Sequence, residues 1–275
     1  MSLARELMNL AAVVATEAGA LVVAGKSETL EVAATKSSRT DVVTAVDVAS
    51  EQLIRRRLLT ARPCDGFVGE EGDDISGSSG VEWVVDPIDG TVNFLYGIAQ
   101  FAVCIAARIE GVVTAAAVHN PVTGEMFTAV KGQGALSDGR PISVSECVEP
   151  ALALVGTGFS YSAEVREHQA AEVARLLPVV RDIRRMGSAA LDLCAVASGR
   201  LDAYVERGLK PWDLAAAGLI AAEAGARVEG MHGAAAGERL VVAAGPGLFD
   251  LLHELLISSG FADWPLTQWP NGCRS

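Results

Sequence analysis

The chain has 275 residues, half of them apolar, and its 34 acidic and 22 basic residues give a formal net charge of −12. This length can bury a core large enough for one big domain or two closely packed halves. No stretch concentrates Lys or Arg into a basic stripe, so the composition predicts that the protein does not bind nucleic acid. An acidic protein can still bind an anionic substrate where metal ions reverse the local charge, which directs attention to carboxylate clusters.

The first predicted element is a helix over residues 2–25, in which apolar residues recur with helical period. Glu6 and Glu17 interrupt the run, which argues against a signal peptide. No uncharged apolar stretch reaches the roughly 20 residues that cross a bilayer, so we expect no membrane insertion. The five cysteines are scattered and form no C-x-x-C pair, which predicts a reducing cytoplasm and neither a zinc site nor a disulfide framework.

The rest of the first half predicts a mixture of strands and helix. A short strand at Thr40–Thr44 leads into a helix whose first turn holds Asp47. A strand rising to Gly69 follows, and the Gly-, Ser- and Asp-rich segment Glu71–Gly80 predicts a mobile surface loop before a strand at Val81–Asp86. Turn signals then separate three runs that predict an antiparallel meander, Phe101–Arg108, Val112–His119 and Glu125–Val130.

From about residue 150 the pattern changes to alternating strands and helices, which predicts an α/β second half. Strands are expected near Ala151, Ile183, Leu201, Ala226 and Leu240, and helices at Ala163–Val179, Ser188–Ser198, Trp212–Ala224 and Pro246–Ser258. The chain shows no internal repeat and no long polar linker. We therefore divide it into an α+β half, residues 1–148, and an α/β half, residues 149–275.

The strongest chemical signal is the segment Trp83–Thr91, WVVDPIDGT, in which an apolar strand ends in two aspartates. Two acids at a strand end can converge on a cation, and carboxylate oxygens are the hard ligands that Mg²⁺ prefers. A proline between them would fix the local turn, and Gly90 and Thr91 would place free backbone N–H groups where a phosphate can bind. Taken alone, Asp86 could be a turn residue and Asp89 a helix cap, which are commoner uses of aspartate.

Other segments strengthen the metal-site interpretation, because their order and spacing form a recognisable set. They are Val68–Glu71 (VGEE), Asp86–Thr91 (DPIDGT), Trp212–Gly218 (WDLAAAG) and Glu223–Gly225 (EAG). Together they resemble the two sequence signatures of the inositol monophosphatase family. The similarity runs from about Lys36, in a segment with Asp41 that matches the family near its site, to the last helix. It is closest to bacterial inositol-1-monophosphatases of actinobacterial type and implies the sugar-phosphatase fold, a layered αβαβα sandwich.

The resemblance also implies a ligand set for two or three Mg²⁺ ions. Glu70, Asp86 and the backbone carbonyl of Ile88 would hold one ion. Asp86, Asp89 and Asp213 would hold a second, so that Asp86 bridges the two. The first half would thus carry most of the metal ligands, and the second half would add Asp213.

Catalytic and substrate-binding residues follow from the same resemblance. Thr91 and Asp47 would position and deprotonate the attacking water, with Glu70 as a further catalytic residue. Asp47 could instead only cap its helix, and Glu206 could be an ordinary solvated acid at a strand end. The substrate-binding residues that the resemblance implies are Asp89, Gly90, Thr91, Gly187, Ser188, Ala189 and Glu206.

The implied activity is that of a Mg²⁺-dependent, lithium-sensitive inositol-1-monophosphatase, a cytoplasmic homodimer that hydrolyses myo-inositol monophosphate to inositol and phosphate. Related substrates remain alternatives: fructose 1,6-bisphosphate, histidinol phosphate and phosphoadenosine phosphate. Val92 and Ala226 depart from common family residues and weaken any transfer of fine specificity. A non-catalytic regulatory role, using a surface such as the Trp264–Trp269 tail, is the alternative from another class.

Two other phosphate chemistries are disfavoured. Ala20–Ser27 fits a relaxed P-loop pattern, but it closes a predicted helix, whereas a P-loop follows a strand and opens a helix. A phosphatase with an aspartyl-phosphate intermediate usually shows D-x-D at a strand end, and the sequence contains no D-x-D. Direct attack by water is therefore the expected mechanism.

Overall fold

A computed structural model describes residues 2–25, 32–35 and 42–262, so Lys36, Asp41 and Trp264–Trp269 lie outside the described residues. Within these ranges the helices are α1 Leu3–Gly25, α2 Ala45–Ala61, α3 Thr91–Tyr96, α4 Ala163–Leu176, α5 Ala189–Ala197, α6 Pro211–Glu223 and α7 Pro246–Ser258. The strands of the first half are β1 Val32–Thr35, β2 Val42–Thr44, β3 Gly66–Gly69, β4 Val81–Asp89, β5 Ala102–Ile109, β6 Val112–His119, β7 Met126–Val130, β8 Ala135–Ser137 and β9 Arg140–Pro141. The strands of the second half are β10 Leu154–Thr157, β11 Asp182–Arg184, β12 Ala203–Glu206, β13 Arg227–Glu229 and β14 Val241–Ala244.

These strands form two large mixed sheets and one small one. The seven-stranded sheet has the order β3-β4-β5-β6-β7-β8-β9 and is antiparallel except for the parallel pair β3 and β4. The five-stranded sheet has the order β11-β10-β12-β14-β13. In it β10 pairs in parallel with β11 and β12, while β14 runs antiparallel to both of its neighbours. β1 and β2 form a separate antiparallel pair.

The alternation of side chains along the strands explains how the layers stack. In β5, Val103 and Ile105 join a buried cluster with α1 and α2. Cys104 and Ala106, on the opposite face, join a second cluster that contains α5, α6 and the inner face of the five-stranded sheet. A third cluster packs α4 and α7 on that sheet's outer face. Because each fully buried aliphatic side chain contributes about 1.5–3 kcal/mol, this pattern stabilises five layers, and the expected αβαβα sandwich is confirmed.

Helix α1 is the one described helix that is long and apolar enough to cross a membrane by length and composition. The sequence expectation considered uncharged runs only and therefore did not anticipate this. One face of the helix, however, is fully buried against the seven-stranded sheet and α2, through residues that include Leu7, Val14 and Val22. This packing is that of a core helix.

The element boundaries differ from the sequence expectation in several places. β4 continues past Asp86 to Asp89 across a bulge in its pairing with β5. The strand expected near Ala151 begins at Leu154, because Pro150 opens a short 3₁₀ turn first. The short strands β8 and β9 were not expected. The predicted boundary at residue 148 falls between β9 and β10, and the division into two domains stays a prediction.

Candidate active site

Three carboxylates, two from β4 and one from α6, converge at the end of β4. Asp86 and Asp89 lie at the end of that strand, and Asp213 lies in the first turn of α6. Each offers an oxygen that lies within 4.8 Å of those of the other two. The bulge between Asp86 and Asp89 matters here, because strict alternation would direct side chains three positions apart to opposite faces of the sheet.

The carboxylate cluster concentrates negative charge at a buried place in the fold. Burial raises the pKa of Asp86 well above its usual value, and the neighbouring acids Glu70, Asp89 and Asp213 raise it further. Burial is also the main cause of the raised pKa of Asp213 and of Asp89. The site therefore concentrates more negative charge than a folded protein holds without a proton or a cation. Its donors are hard oxygens, so the residues present fit a divalent cation such as Mg²⁺.

Thr91 and Asp47 lie beside this cluster, joined by a hydrogen bond. The Thr91 hydroxyl lies 3.0 Å from Asp47 Oδ1 and 3.0 Å from the Ile88 carbonyl oxygen, and its single hydrogen serves one acceptor at a time. The other oxygen of Asp47 accepts from the backbone N–H of Thr44 at 3.0 Å and from the Thr44 hydroxyl, in a capping box that opens α2. Asp47 thus caps its helix with one oxygen and faces Thr91 with the other. Burial raises its pKa.

Asp89 also connects the end of β4 with the start of α5. Its Oδ2 accepts a hydrogen bond from the Ser188 hydroxyl and another, 2.8 Å long, from the backbone N–H of Ala190 at the start of α5. Gly187 adopts φ 92° and Gly90 φ 95°, a backbone region that favours glycine. A Cβ at Gly90 would lie 3.1 Å from the Gly187 carbonyl oxygen, so the two backbones pass in close contact.

Glu206, at the end of β12, is held in a narrow polar setting. The Tyr204 hydroxyl donates to its Oε2, and a Cβ at Gly158 would lie 2.0 Å from the same oxygen, so the Gly158 backbone lies directly against this carboxylate. Burial raises the pKa of Glu206 to about 7. Glu206 thus lies partly buried in a polar setting, and the alternative of an ordinary acid at a strand end is not decided by these contacts. Its role as a substrate-binding residue stays a prediction.

Two residues near this site had no individual role in the sequence analysis, although the family resemblance implies that the segment Tyr204–Glu206 faces the substrate. Tyr204 shares a strand face with Glu206, and that alternation is the only sequence signal for their contact. Asp192 lies one helical turn after Ser188 in α5 and is 1 % exposed. Its Oδ1 has no hydrogen-bond partner in the described part of the chain. Burial, with Glu206 and Asp89 nearby, raises the pKa of Asp192 to about 8.

The fold and the site together define a five-layered αβαβα sandwich with a cluster of carboxylates that could hold a metal ion. Residues 3–259 match the model of the inositol monophosphatase family. The chain belongs to the inositol monophosphatase family, which confirms the resemblance seen in the sequence.

Individual relatives agree with this assignment. The chain is 52% identical over 227 residues to the inositol-1-monophosphatase of Mycobacterium bovis, an overlap of 79% of this chain and 78% of that protein. It is 37% identical over 254 residues to the Nus factor SuhB of Pasteurella multocida, covering 90% of this chain and 95% of the relative. The structure of Mycobacterium tuberculosis SuhB superimposes with a TM-score of 0.82 at 44% identity, covering 94% of this chain and 99% of that one.

Proposed function

We propose that this protein is a Mg²⁺-dependent phosphomonoesterase that hydrolyses myo-inositol monophosphate to inositol and phosphate by direct attack of water. The observation that carries the proposal is the convergence of three carboxylates beside the hydrogen-bonded pair Thr91 and Asp47. A cluster with excess negative charge binds cations, and cations in turn bind the phosphate of an anionic substrate.

The cation ligands of the proposal are those that the family resemblance implies: Glu70, Asp86, the Ile88 carbonyl, Asp89 and Asp213. Bound Mg²⁺ neutralises phosphate charge, lowers the pKa of water and stabilises a leaving alkoxide. The raised pKa values of Asp86, Asp89 and Asp213 support this assignment, because a cation would remove the repulsion that contributes to them. Gly90 and Thr91 would offer backbone N–H groups to the phosphate.

Thr91 orients the nucleophile in this proposal. When its hydroxyl donates to Asp47 Oδ1, the lone pairs of Thr91 Oγ1 are directed to accept a hydrogen from water. Asp47 holds that hydroxyl in place and, with its raised pKa, is a better proton acceptor than an ordinary aspartate. Glu70 interacts with Asp86 through a hydrogen bond and through its charge, which supports a role for Glu70 in the same centre.

The polyol end of the substrate would lie toward Gly187, Ser188, Ala189 and Glu206. A carboxylate that already accepts from the Tyr204 hydroxyl has further lone pairs for vicinal hydroxyls of inositol. A site built to hydrogen-bond a hydroxyl strongly rejects substrates that lack it. Glu206 is therefore the residue on which the preference for inositol phosphate over the related substrates rests.

A phosphate-release screen tests the proposal. The substrates are inositol 1-phosphate, fructose 1,6-bisphosphate, histidinol phosphate, phosphoadenosine phosphate and an aryl phosphate, each with Mg²⁺ and with excess chelator. We expect inositol 1-phosphate to have the highest kcat/KM, activity to disappear with chelator, and lithium to inhibit turnover. Full activity in chelator would refute the metal mechanism, and a higher kcat/KM for another substrate would refute the choice of inositol phosphate.

A second candidate is a regulatory binding role, favoured by relatives that carry the name Nus factor SuhB at 37–40% identity. The two candidates separate in a strain that lacks the gene. If wild type and Asp86→Asn restore the phenotype equally, catalysis is not the function that the cell needs. If wild type alone restores it, the enzyme is required.

The proposal includes assembly and location. We place the enzyme in the cytoplasm as a homodimer that binds neither nucleic acid nor membrane. Light scattering of the purified full chain gives the oligomeric state, and a monomer at micromolar concentration would refute the dimer. Fractionation of cells would test the location.

A further inference from the structure

The loop after β3 carries Glu70, and its ends are closed by a pair of backbone hydrogen bonds. Phe67 and Ile75 donate to each other's carbonyl oxygens at 2.8 Å. Glu70 is the one acid of the proposed ligand set that lies on a loop rather than on a strand or helix. A side chain on a loop is positioned less precisely than one on a strand or helix unless other contacts fix the loop backbone.

Glu51, on α2, fixes this loop from outside the carboxylate cluster. Its side chain is 4 % exposed, and its Oε2 accepts the backbone N–H of Glu71 at 2.7 Å. Arg55, one turn later, donates to Glu51 Oε1 at 3.2 Å and to the Asp73 carbonyl oxygen at 2.9 Å. The pair therefore holds the chain on the C-terminal side of Glu70 at two backbone positions.

The Arg55 guanidinium also lies 4.7 Å from the centre of the Phe67 ring, which precedes the loop. One helix face thus contacts the loop before and after Glu70. Arg55 neutralises Glu51, so the buried acceptor adds no net charge to an already acidic site.

Two glycines flank Glu70 and Glu71, and the ion pair lies against both. A Cβ at Gly69 would lie 2.4 Å from Glu51 Oε2, and a Cβ at Gly72 would lie 2.8 Å from Glu51 Oε1 and 2.7 Å from Arg55 Nη2. Real Cβ atoms do not approach oxygen or nitrogen this closely. The backbone on both sides of Glu70 therefore lies directly against the Glu51 and Arg55 side chains.

Ion pairs one turn apart on a helix are common and contribute little when exposed. The same helix offers the contrast, because Arg57 pairs with Glu17 of α1 through side chains that are 50 % and 38 % exposed. Glu51 differs in being buried and in accepting from the backbone next to a proposed cation ligand.

We propose that Glu51, supported by Arg55, is a positioning residue that holds Glu70 in the geometry required to bind the activating cation. This inference rests on the proposed function, since it concerns the same carboxylate site. Loss of a residue that orients a metal ligand typically reduces metal affinity or activity by about 10- to 100-fold.

The test measures cation binding directly, without substrate, on the purified full chain. Free Mn²⁺ is followed by electron paramagnetic resonance during titration of wild type, E51A, E51Q, R55M and the control R57A. We expect Mn²⁺ affinity about 10- to 100-fold weaker in E51A. E51Q keeps an amide oxygen for the Glu71 N–H and should retain most of the affinity, while R55M keeps the contact with Phe67 and should fall between them.

The free energy of unfolding of each variant is measured in urea with chelator and compared with its Mn²⁺ affinity. This comparison separates a loss of Glu70 positioning from a general loss of stability. R57A removes an ion pair from the same helix and should bind Mn²⁺ as wild type does. If wild type, E51A and R55M bind Mn²⁺ with equal affinity, this inference is wrong while the proposed function stands. The same holds if R57A loses as much Mn²⁺ affinity as E51A. If E51A does not fold, the Mn²⁺ affinities of R55M and E51Q are compared instead. Wild-type Mn²⁺ affinity in R55M then overturns the inference. A wild-type chain that binds no divalent cation overturns the proposed function and this inference with it.

Discussion

Replacing Asp192 with asparagine tests how much stability the folded chain loses to a buried carboxyl group. Asp192 is 1 % exposed, and its Oδ1 has no hydrogen-bond partner in the part of the chain that the structure describes. Burial raises its pKa to about 8, with Glu206 as the next cause, while Arg185 opposes the shift. In the unfolded chain an aspartate has a pKa of about 3.9.

The sign of the effect follows from these two pKa values. Between about pH 4 and pH 8 the folded chain keeps a proton that the unfolded chain has lost. Each pH unit in that window therefore lowers the free energy of unfolding by about 1.4 kcal/mol. From pH 4 to pH 7 the loss from this single group is roughly 4 kcal/mol, as an upper estimate. Asparagine has nearly the same shape and does not titrate.

Urea unfolding of wild type and Asp192→Asn, both in chelator, measures this loss. The difference in the free energy of unfolding should be close to zero at pH 4 and grow by about 1.4 kcal/mol per pH unit, in favour of the variant. Asp182→Asn is the control, because its exposed pairing with Arg184 lowers the pKa of Asp182, so the difference between this variant and wild type should not vary between about pH 4 and pH 8. A difference between Asp192→Asn and wild type that does not vary with pH would refute the reasoning.

Three substitutions test the catalytic assignments. Asp86→Asn should abolish Mg²⁺-dependent phosphate release while the chain stays folded by circular dichroism, and wild-type turnover would contradict this ligand assignment. Thr91→Ala should slow the chemical step about 10²- to 10⁴-fold in single-turnover kinetics, because the water loses its positioning group; a loss of Mn²⁺ binding instead would make Thr91 a metal-site residue. Glu206→Gln should lower kcat/KM for inositol 1-phosphate roughly 10- to 100-fold, since a hydrogen bond to a charged acceptor contributes about 1.5–3 kcal/mol. An aryl phosphate should be affected much less, and equal losses on both substrates would show that Glu206 does not recognise the polyol.

Local patterns in the sequence predicted most of the fold. Period-two alternation and turn signals predicted the meander of β5, β6 and β7 to within one residue at most ends. Strands of two or three residues, such as β8 and β9, carry too little pattern to be recognised. The extension of β4 through Pro87 was also missed, because a proline in a strand ordinarily signals its end.

The candidate site was predicted only in part from local chemistry. Asp86 and Asp89 stand out as two acids at a strand end, but Asp213 has no local signal that connects it with them and came from the family resemblance. The contact of Ser188 with Asp89 joins residues 99 positions apart, and no periodicity reports such a contact. The unpartnered oxygen of Asp192 depends in the same way on tertiary packing. Roles for individual site residues therefore stay predictions until they are measured.

The hydrogen bonds that Asp89 accepts from Ser188 and Ala190 join the end of β4 to the first turn of α5, a helix between the sheets. The proposed cation ligands therefore come from several elements, and no continuous segment of the chain contains all of them. During synthesis the first aspartates leave the ribosome well before α6 delivers Asp213, so the nascent chain cannot assemble the full centre early. In the finished protein, a small displacement of α6 from β4 would separate Asp213 from Asp86 and Asp89 and would move Trp212, which precedes Asp213 and packs between the sheets, while every strand and helix stayed intact. Activity should therefore fail before far-ultraviolet circular dichroism changes as denaturant is added.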